Sequence, residues 1–167
     1  MHSVWMLEAE RRRALIARYR EGHQAVLSAL EGITAAELDA RPAPGEFTAR
    51  EVVHHLADSE MTSAVRLRKL IAEDEPVLQG YDENQFARRL YYTQRPIEAS
   101  LDAVRAARAS SASLLELLSE AEWGRTGSHS ESGPYSVETW LEIYAAHAHE
   151  HADQISGARA ASVAGDA

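Results

Sequence analysis

The 167-residue chain contains no cysteine. That excludes disulfide frameworks, iron–sulfur clusters and thiolate zinc sites, and any reaction needing a thiol must take it from a second molecule. Proline and glycine are scarce, with 5 and 9 residues, and fall mostly in a few short segments. Strand-like alternation of useful length and internal repeats are both missing, so the chain reads as all-α. No apolar run approaches the length that spans a bilayer. The opening Met1-His2-Ser3-Val4-Trp5-Met6-Leu7 is too short and lacks the basic leader of a signal peptide. A cytoplasmic protein with no membrane association is the expectation. Positive charge is the minority sign: 17 Lys and Arg stand against 26 Asp and Glu, for a formal charge of −9. Arg11, Arg12 and Arg13 form the one basic run, which suits a solvated helix face. Nucleic-acid affinity rests on Lys and Arg neutralising phosphates, so a nucleic-acid partner is not expected.

Abundant Ala, Leu, Glu and Arg favour helices, and the scarce breakers punctuate four long ones. The first runs from about Leu7 to Leu30, with Gly32 placed for a left-handed cap. Thr34 to Leu38 forms a short helical turn, and Arg41-Pro42-Ala43-Pro44-Gly45 is a break. The second helix begins at Thr48, which with Glu51 has capping-box spacing, and continues to about Ala72. Pro76 to Glu83 reads as a loop and Asn84 to Leu90 as a short extra helix. The third starts near Pro96 and buries Ile97, Leu101, Val104, Ser111, Leu114, Leu115 and Leu118, a stripe interrupted by Arg108. Gly124 to Pro134 reads as a long loop. Ser136 caps the fourth helix, which ends near Ser156-Gly157. Matched lengths of roughly 30 to 37 Å, at 1.5 Å per residue, predict an antiparallel four-helix bundle in one domain, residues 1–160, with a frayed tail at 161–167. The connection between the second and third helices is long, about two dozen residues, and leaves a simple up-down-up-down order unassured. Trp5, Trp123 and Trp140 read as core or interface anchors.

Eight histidines are present, and three of them fall within five residues of the fourth helix. Val137, Trp140, Leu141, Tyr144, Ala148 and Ile155 set its buried stripe. His147 and His151, four residues apart, extend that stripe. His149 is turned about 200° from His147 and faces elsewhere; a rival pair, His149 with Asp153, lies off the stripe. On the second helix Val52, Leu56, Ser59, Ser63, Leu67 and Leu70 define the inner face. His55 beside Leu56 can point inward, and His54 is rotated further away. An i,i+4 histidine pair plus one histidine from a second helix can hold a divalent ion at three corners and leave a position open, as catalytic zinc sites do. The same pair can instead be packing. His149-Glu150-His151-Ala152-Asp153 fails the zincin pattern, which needs a second His where Asp153 stands.

These residues resemble the DinB-like superfamily, and within it the YfiT-type metal-dependent hydrolases, which include bacillithiol transferases. The similarity spans about Phe47 to Ile155. It is carried by Glu51-Val52-Val53-His54-His55-Leu56-Ala57-Asp58-Ser59, by Tyr81-Asp82-Glu83, by Glu131-Ser132-Gly133 and by Tyr144-Ala145-Ala146-His147 with His151. The resemblance implies a four-helix bundle with a down-up-crossover arrangement. It also implies a three-histidine site of His55, His147 and His151 for zinc or nickel, and a homodimer, since members are often dimers. The chain departs from the YfiT-type pattern at Glu60, Thr62 and Glu150. These changes spare the ligands and alter the pocket lining.

Around the histidines, Asp58 is a candidate to accept the second N–H of His55. Tyr144 and Arg66 are candidates to line the pocket, Arg66 for an anionic group. Glu60 is the candidate general base. The functional expectation is a metal-dependent enzyme acting on a small molecule, either as a hydrolase or as a transferase of an external low-molecular-weight thiol. The alternatives are a non-catalytic metal-binding or small-molecule-sensing module, and a metal-free bundle that binds a partner.

Overall fold

The computed structural model describes the backbone of residues 2–165 and the side chains of residues 8–162. In chain order the elements are α1 (His2–Leu30), α2 (Ala35–Asp39), α3 (Ala49–Ala72), β1 (Val77–Leu78), α4 (Glu83–Arg89), α5 (Glu98–Leu115), α6 (Glu120–Trp123), β2 (Thr126–His129), β3 (Gly133–Ser136) and α7 (Val137–Gly165). The four long helices, α1, α3, α5 and α7, are those the apolar spacing predicts. Trp5 as an anchor lies outside the described side chains.

Local chemistry sets most helix starts. Thr34 with Glu37, Thr48 with Glu51 and Ser119 with Glu122 each form a complete capping box, in which the hydroxyl takes the third backbone N–H and the carboxylate returns to the cap N–H. The last of these opens α6, which the sequence reading passed over although Ser119-x-x-Glu122 signals it. Gly32 takes φ 67° after α1, the left-handed conformation that a side chain disfavours.

Two helix ends differ from expectation. The first helix begins before Leu7, at His2, and the fourth runs past Gly157 to Gly165. Ala158, Ala160 and Ala161 are strong helix formers and outweigh one glycine. Arg159 also donates to the carbonyls of Ala29 and Glu31, at 2.8 and 3.0 Å, so the added turn of α7 satisfies the open C-terminus of α1.

Side-chain contacts fix the direction of each helix. Arg11 with Glu142, His149 with the Arg18 carbonyl, and Arg159 with the Ala29 carbonyl keep an almost constant sequence separation of 131, 131 and 130. Helices α1 and α7 are therefore parallel. By the same test α3 and α5 are parallel, since His54–Ser100, Glu60–Arg108 and Arg68–Ser111 are separated by 46, 48 and 43. Trp140 meets Ser63 while His147 and His151 meet His55, so α7 runs antiparallel to α3. The order is down-up-up-down, and antiparallel packing holds between the two pairs rather than along the chain. Residues 73–97 must return the length of the bundle before α5 can start.

The loops read between Pro76 and Glu83 and between Gly124 and Pro134 contain strands. β1 pairs parallel with β2, and β2 antiparallel with β3. These strands span two to four residues and include Gly127, Gly133 and Pro134, so they carry little local strand signal. Their pairing is a tertiary event that pins the start of the crossover to the α7 end of the bundle.

The core divides into two apolar clusters. One gathers Ile16, Tyr19, Leu67, Leu115, Trp140 and Tyr144, and the other Val26, Val52, Leu56, Val104, Ala148 and Ile155. A polar layer of Glu60, Ser63, Arg108 and Ser111, all fully or almost fully buried, lies between them. Gly22 leaves space for it: a Cβ there would collide with the Arg108 guanidinium.

Candidate metal centre

His55 projects from the second turn of α3, whose start the Thr48–Glu51 capping box secures. His147 and His151 project from one face of α7, one turn apart. The antiparallel packing of α3 on α7 brings the three rings together. Ring centroids lie 5.9 Å apart for His55 and His147, 4.8 Å for His55 and His151, and 4.4 Å for His147 and His151. One ring nitrogen from each lies within 4.8 Å of the other two. His147 Nε2 and His151 Nε2 are 3.1 Å apart, whereas two nitrogens on one tetrahedral zinc lie roughly 3.4 Å apart.

The donor chemistry fits a divalent cation. His55 Nδ1 and His147 Nδ1 are buried without a hydrogen-bond partner, so no protein acceptor fixes the orientation of either ring. Burial pushes the His55 imidazole down to about 4 and that of His147 down to about 3, and the neighbouring His151 adds to both shifts. His151 is also lowered by burial, against the opposing pull of Gln154. Neutral imidazole is the metal-binding form, and these three are held in it at neutral pH. The Nδ1 of His151 meets Gln154 Oε1 at 2.8 Å. If that nitrogen carries the proton, the Nε2 lone pair is free toward its neighbours. Sequence reasoning missed Gln154, although its place three residues after His151 on the same helix is a usable signal. Among the described residues no fourth His, Asp or Glu joins the group.

The wall comes from three sides. Phe47 lies 5.9 Å from the His55 ring, and Tyr144 meets the His147 ring edge-on at 5.5 Å. The crossover adds Tyr81, stacked on Phe86, and Glu83, whose carboxylate lies 3.9 Å from His55 Nε2. Glu83 had no assigned role in the sequence reading, because only the crossover path carries it to the histidines.

Two expected site residues, Glu60 and Asp58, are placed otherwise, and a third, Arg66, lies deeper than a surface residue. Glu60 is fully buried, and its carboxylate accepts from Arg108 Nε and Nη2 at 3.0 and 2.5 Å and from Tyr19 at 3.4 Å. Burial raises its pKa while Arg108 opposes. A carboxylate with no solvent contact, held by Arg108 through Oε1 and facing Tyr19 with Oε2, is committed to the core, so the expectation of a general base gives way to that role. Asp58 accepts from the Tyr92 hydroxyl and not from His55. It lies four residues after His54, so it shares that histidine's face. His54 itself is turned to α5, bonded to Ser100 and the Arg95 carbonyl. Arg66, the candidate for an anionic group, is enclosed rather than at the surface. It is 9 % exposed, donates to the Gln79 carbonyl and lies 3.4 Å from the Tyr144 hydroxyl.

The chain is similar in sequence and in fold to known proteins. A "putative metal-dependent hydrolase" of Oceanobacillus iheyensis is 41% identical over 120 residues, 72% of this chain and 69% of the relative. A protein of Bacillus mycoides with the same name is 30% identical over 131 residues, 78% of this chain and 75% of the relative. Neither name specifies a substrate. Among solved structures, YfiT from Bacillus subtilis, described as a probable metal-dependent hydrolase with an unusual four-helix bundle topology, superposes with a TM-score of 0.84. It is 27% identical, and the match covers 89% of this chain and 86% of that one. The sequence pattern of the DinB superfamily spans residues 18–155, from the middle of α1 through every histidine of the cluster, and the chain belongs to that superfamily.

Proposed function

We propose that His55, His147 and His151 hold one divalent ion, zinc or nickel, and that the protein is a metal-dependent enzyme acting on a small molecule. The observation that carries this reading is the convergence of three imidazoles, one buried and two partly buried and each depressed toward the neutral form, with no fourth His, Asp or Glu among the described residues. A closed structural site would supply that fourth ligand. An ion held there supplies Lewis-acid chemistry, lowering the pKa of a water or thiol brought against it and polarising an electrophile. The chain's own residues do the rest. Gln154 orients His151, and Phe47 and Tyr144 exclude solvent from one side. Glu83, at the rim and more than half exposed, is the carboxylate positioned to take a proton from the incoming nucleophile. The relatives' names favour hydrolysis. Thiol transfer is the second use the same site permits, with the thiol drawn from solution because the chain has none.

The test is metal content of purified protein together with two assays, ester or amide hydrolysis and conjugation of a low-molecular-weight thiol, each with and without chelator. One ion per chain and a chelator-sensitive activity in either assay is the expected result. Absence of stoichiometric metal after zinc or nickel loading would overturn the reading.

A further inference from the structure

The chain buries two arginines in its interior, and they are treated differently. Arg108 meets the Glu60 carboxylate and the carbonyls of Tyr19 and Tyr144. Arg66 meets no carboxylate among the described residues. Of its five N–H donors, one group reaches the Gln79 carbonyl and another a distant tyrosine hydroxyl, while Nε is buried with no partner. Desolvating a guanidinium is expensive unless an anion compensates it. Among the described residues no side chain supplies that anion.

The position of Arg66 says whose anion it is. It lies on α3, the helix of His55, eleven residues on, which is about 16 Å along the axis at 1.5 Å per residue. Helical side chains lean toward the N-terminus of their helix, which on α3 is the direction of His55. Two aromatic residues connect the sites. Tyr144 faces Arg66 with its hydroxyl and His147 with its ring. Tyr81 lies under the guanidinium at 5.9 Å and belongs to the same crossover segment as Glu83. A cleft between α3 and β1, lined by Thr62, Val65 and Leu78, also reaches Arg66 and gives solvent access to it.

The geometry points to Arg66 as the anchor for an oxyanion group, carboxylate or phosphate, on the small molecule whose other end reacts at the histidine cluster. A planar guanidinium grips such a group through two parallel hydrogen bonds. The substrate class is therefore a small molecule with an anionic terminus set back from its reacting group. This inference rests on the metal-centre reading for the identity of the reacting end, and on Arg66 alone for the anionic end.

Calorimetric titration of the full chain tests it, with propionate, inorganic phosphate and the diacids glutarate, adipate and suberate as probes. Wild-type and Arg66→Gln proteins are compared, each chelator-treated and zinc-loaded. The expected result is that one diacid binds zinc-loaded wild type at least tenfold more tightly than propionate, and that Arg66→Gln removes this advantage without changing zinc content. Arg66→Lys, which keeps the charge and loses the fork, falls between them. Should Arg66→Gln fail to fold, the Nε–H resonance of Arg66 in 15N-labelled wild type, assigned by its loss in Arg66→Lys, must shift on adding the same probes. Equal affinities for wild type and Arg66→Gln, an unmoved resonance, or no diacid better than propionate would overturn the anchor. A wild-type protein that takes up no zinc yet binds propionate or phosphate through Arg66 would sink the metal reading and leave the anchor standing.

Discussion

Arg108 of α5 reaches Glu60 of α3 in a pair with almost no solvent contact, 2.5 Å from Nη2 to Oε1, and the same guanidinium nitrogen donates to the Tyr144 carbonyl at 3.0 Å. With the Tyr19 carbonyl of α1, which also accepts from Arg108, the pair joins all four long helices in one polar layer just beneath the turn of α7 that carries His147. It explains why an arginine interrupts the apolar stripe of α5.

Because each member neutralises the other, removing one leaves a buried charge. Glu60→Ala is expected to destabilise the fold by about 3 to 5 kcal/mol, whereas the double change to apolar residues, Glu60→Leu with Arg108→Met, recovers most of that loss. Denaturant unfolding of the single and double variants measures both effects. Glu83→Gln behaves in the opposite way, with stability near wild type, metal retained, and turnover reduced on the order of 10²-fold for a lost proton acceptor. A folded Glu60→Gln protein with normal stability and no turnover would restore Glu60 to the chemistry.

Gln154 gives a graded test of the histidine cluster. Gln154→Leu removes the partner of His151 Nδ1 and is expected to weaken zinc binding roughly 10- to 100-fold, the usual cost of an outer-shell change. His151→Ala removes a ligand and should abolish stoichiometric metal. Competition titration against a chelating dye resolves the two. Unchanged affinity in both variants would exclude this face of α7 as the metal-binding face.

The depressed histidines also set a pH dependence for the chelator-treated protein. In the unfolded chain these imidazoles titrate near 6.5; in the fold His55 titrates near 4 and His147 near 3. Between those limits the unfolded state binds more protons, so stability is highest above about 6.5 and falls as the pH drops toward 4. Each unit of depression corresponds to about 1.4 kcal/mol. Urea midpoints measured from pH 7.5 to 4 should fall for the wild type, and less steeply for His147→Leu. Equal slopes would show that His147 is not held neutral by its surroundings.

The sequence by itself determined the long helices and the faces on which His55, His147 and His151 lie. Apolar residues at three- and four-residue spacing decide which face of each long helix is buried, and that spacing is local. It placed His147 and His151 on the stripe of Trp140, Tyr144 and Ile155, and the Thr48–Glu51 box fixed the start of the helix carrying His55. Only the tertiary structure decided helix direction, the strands, and which polar side chains meet. Glu60 and Glu83 are both acids on or beside a helix. One meets Arg108 because α3 and α5 run parallel, and the other meets His55 because the crossover returns down the bundle. Those pairings join residues far apart in the chain, and no local pattern encodes them. The Gly- and Pro-bearing strands β2 and β3 are likewise set by their pairing partners and not by their own composition.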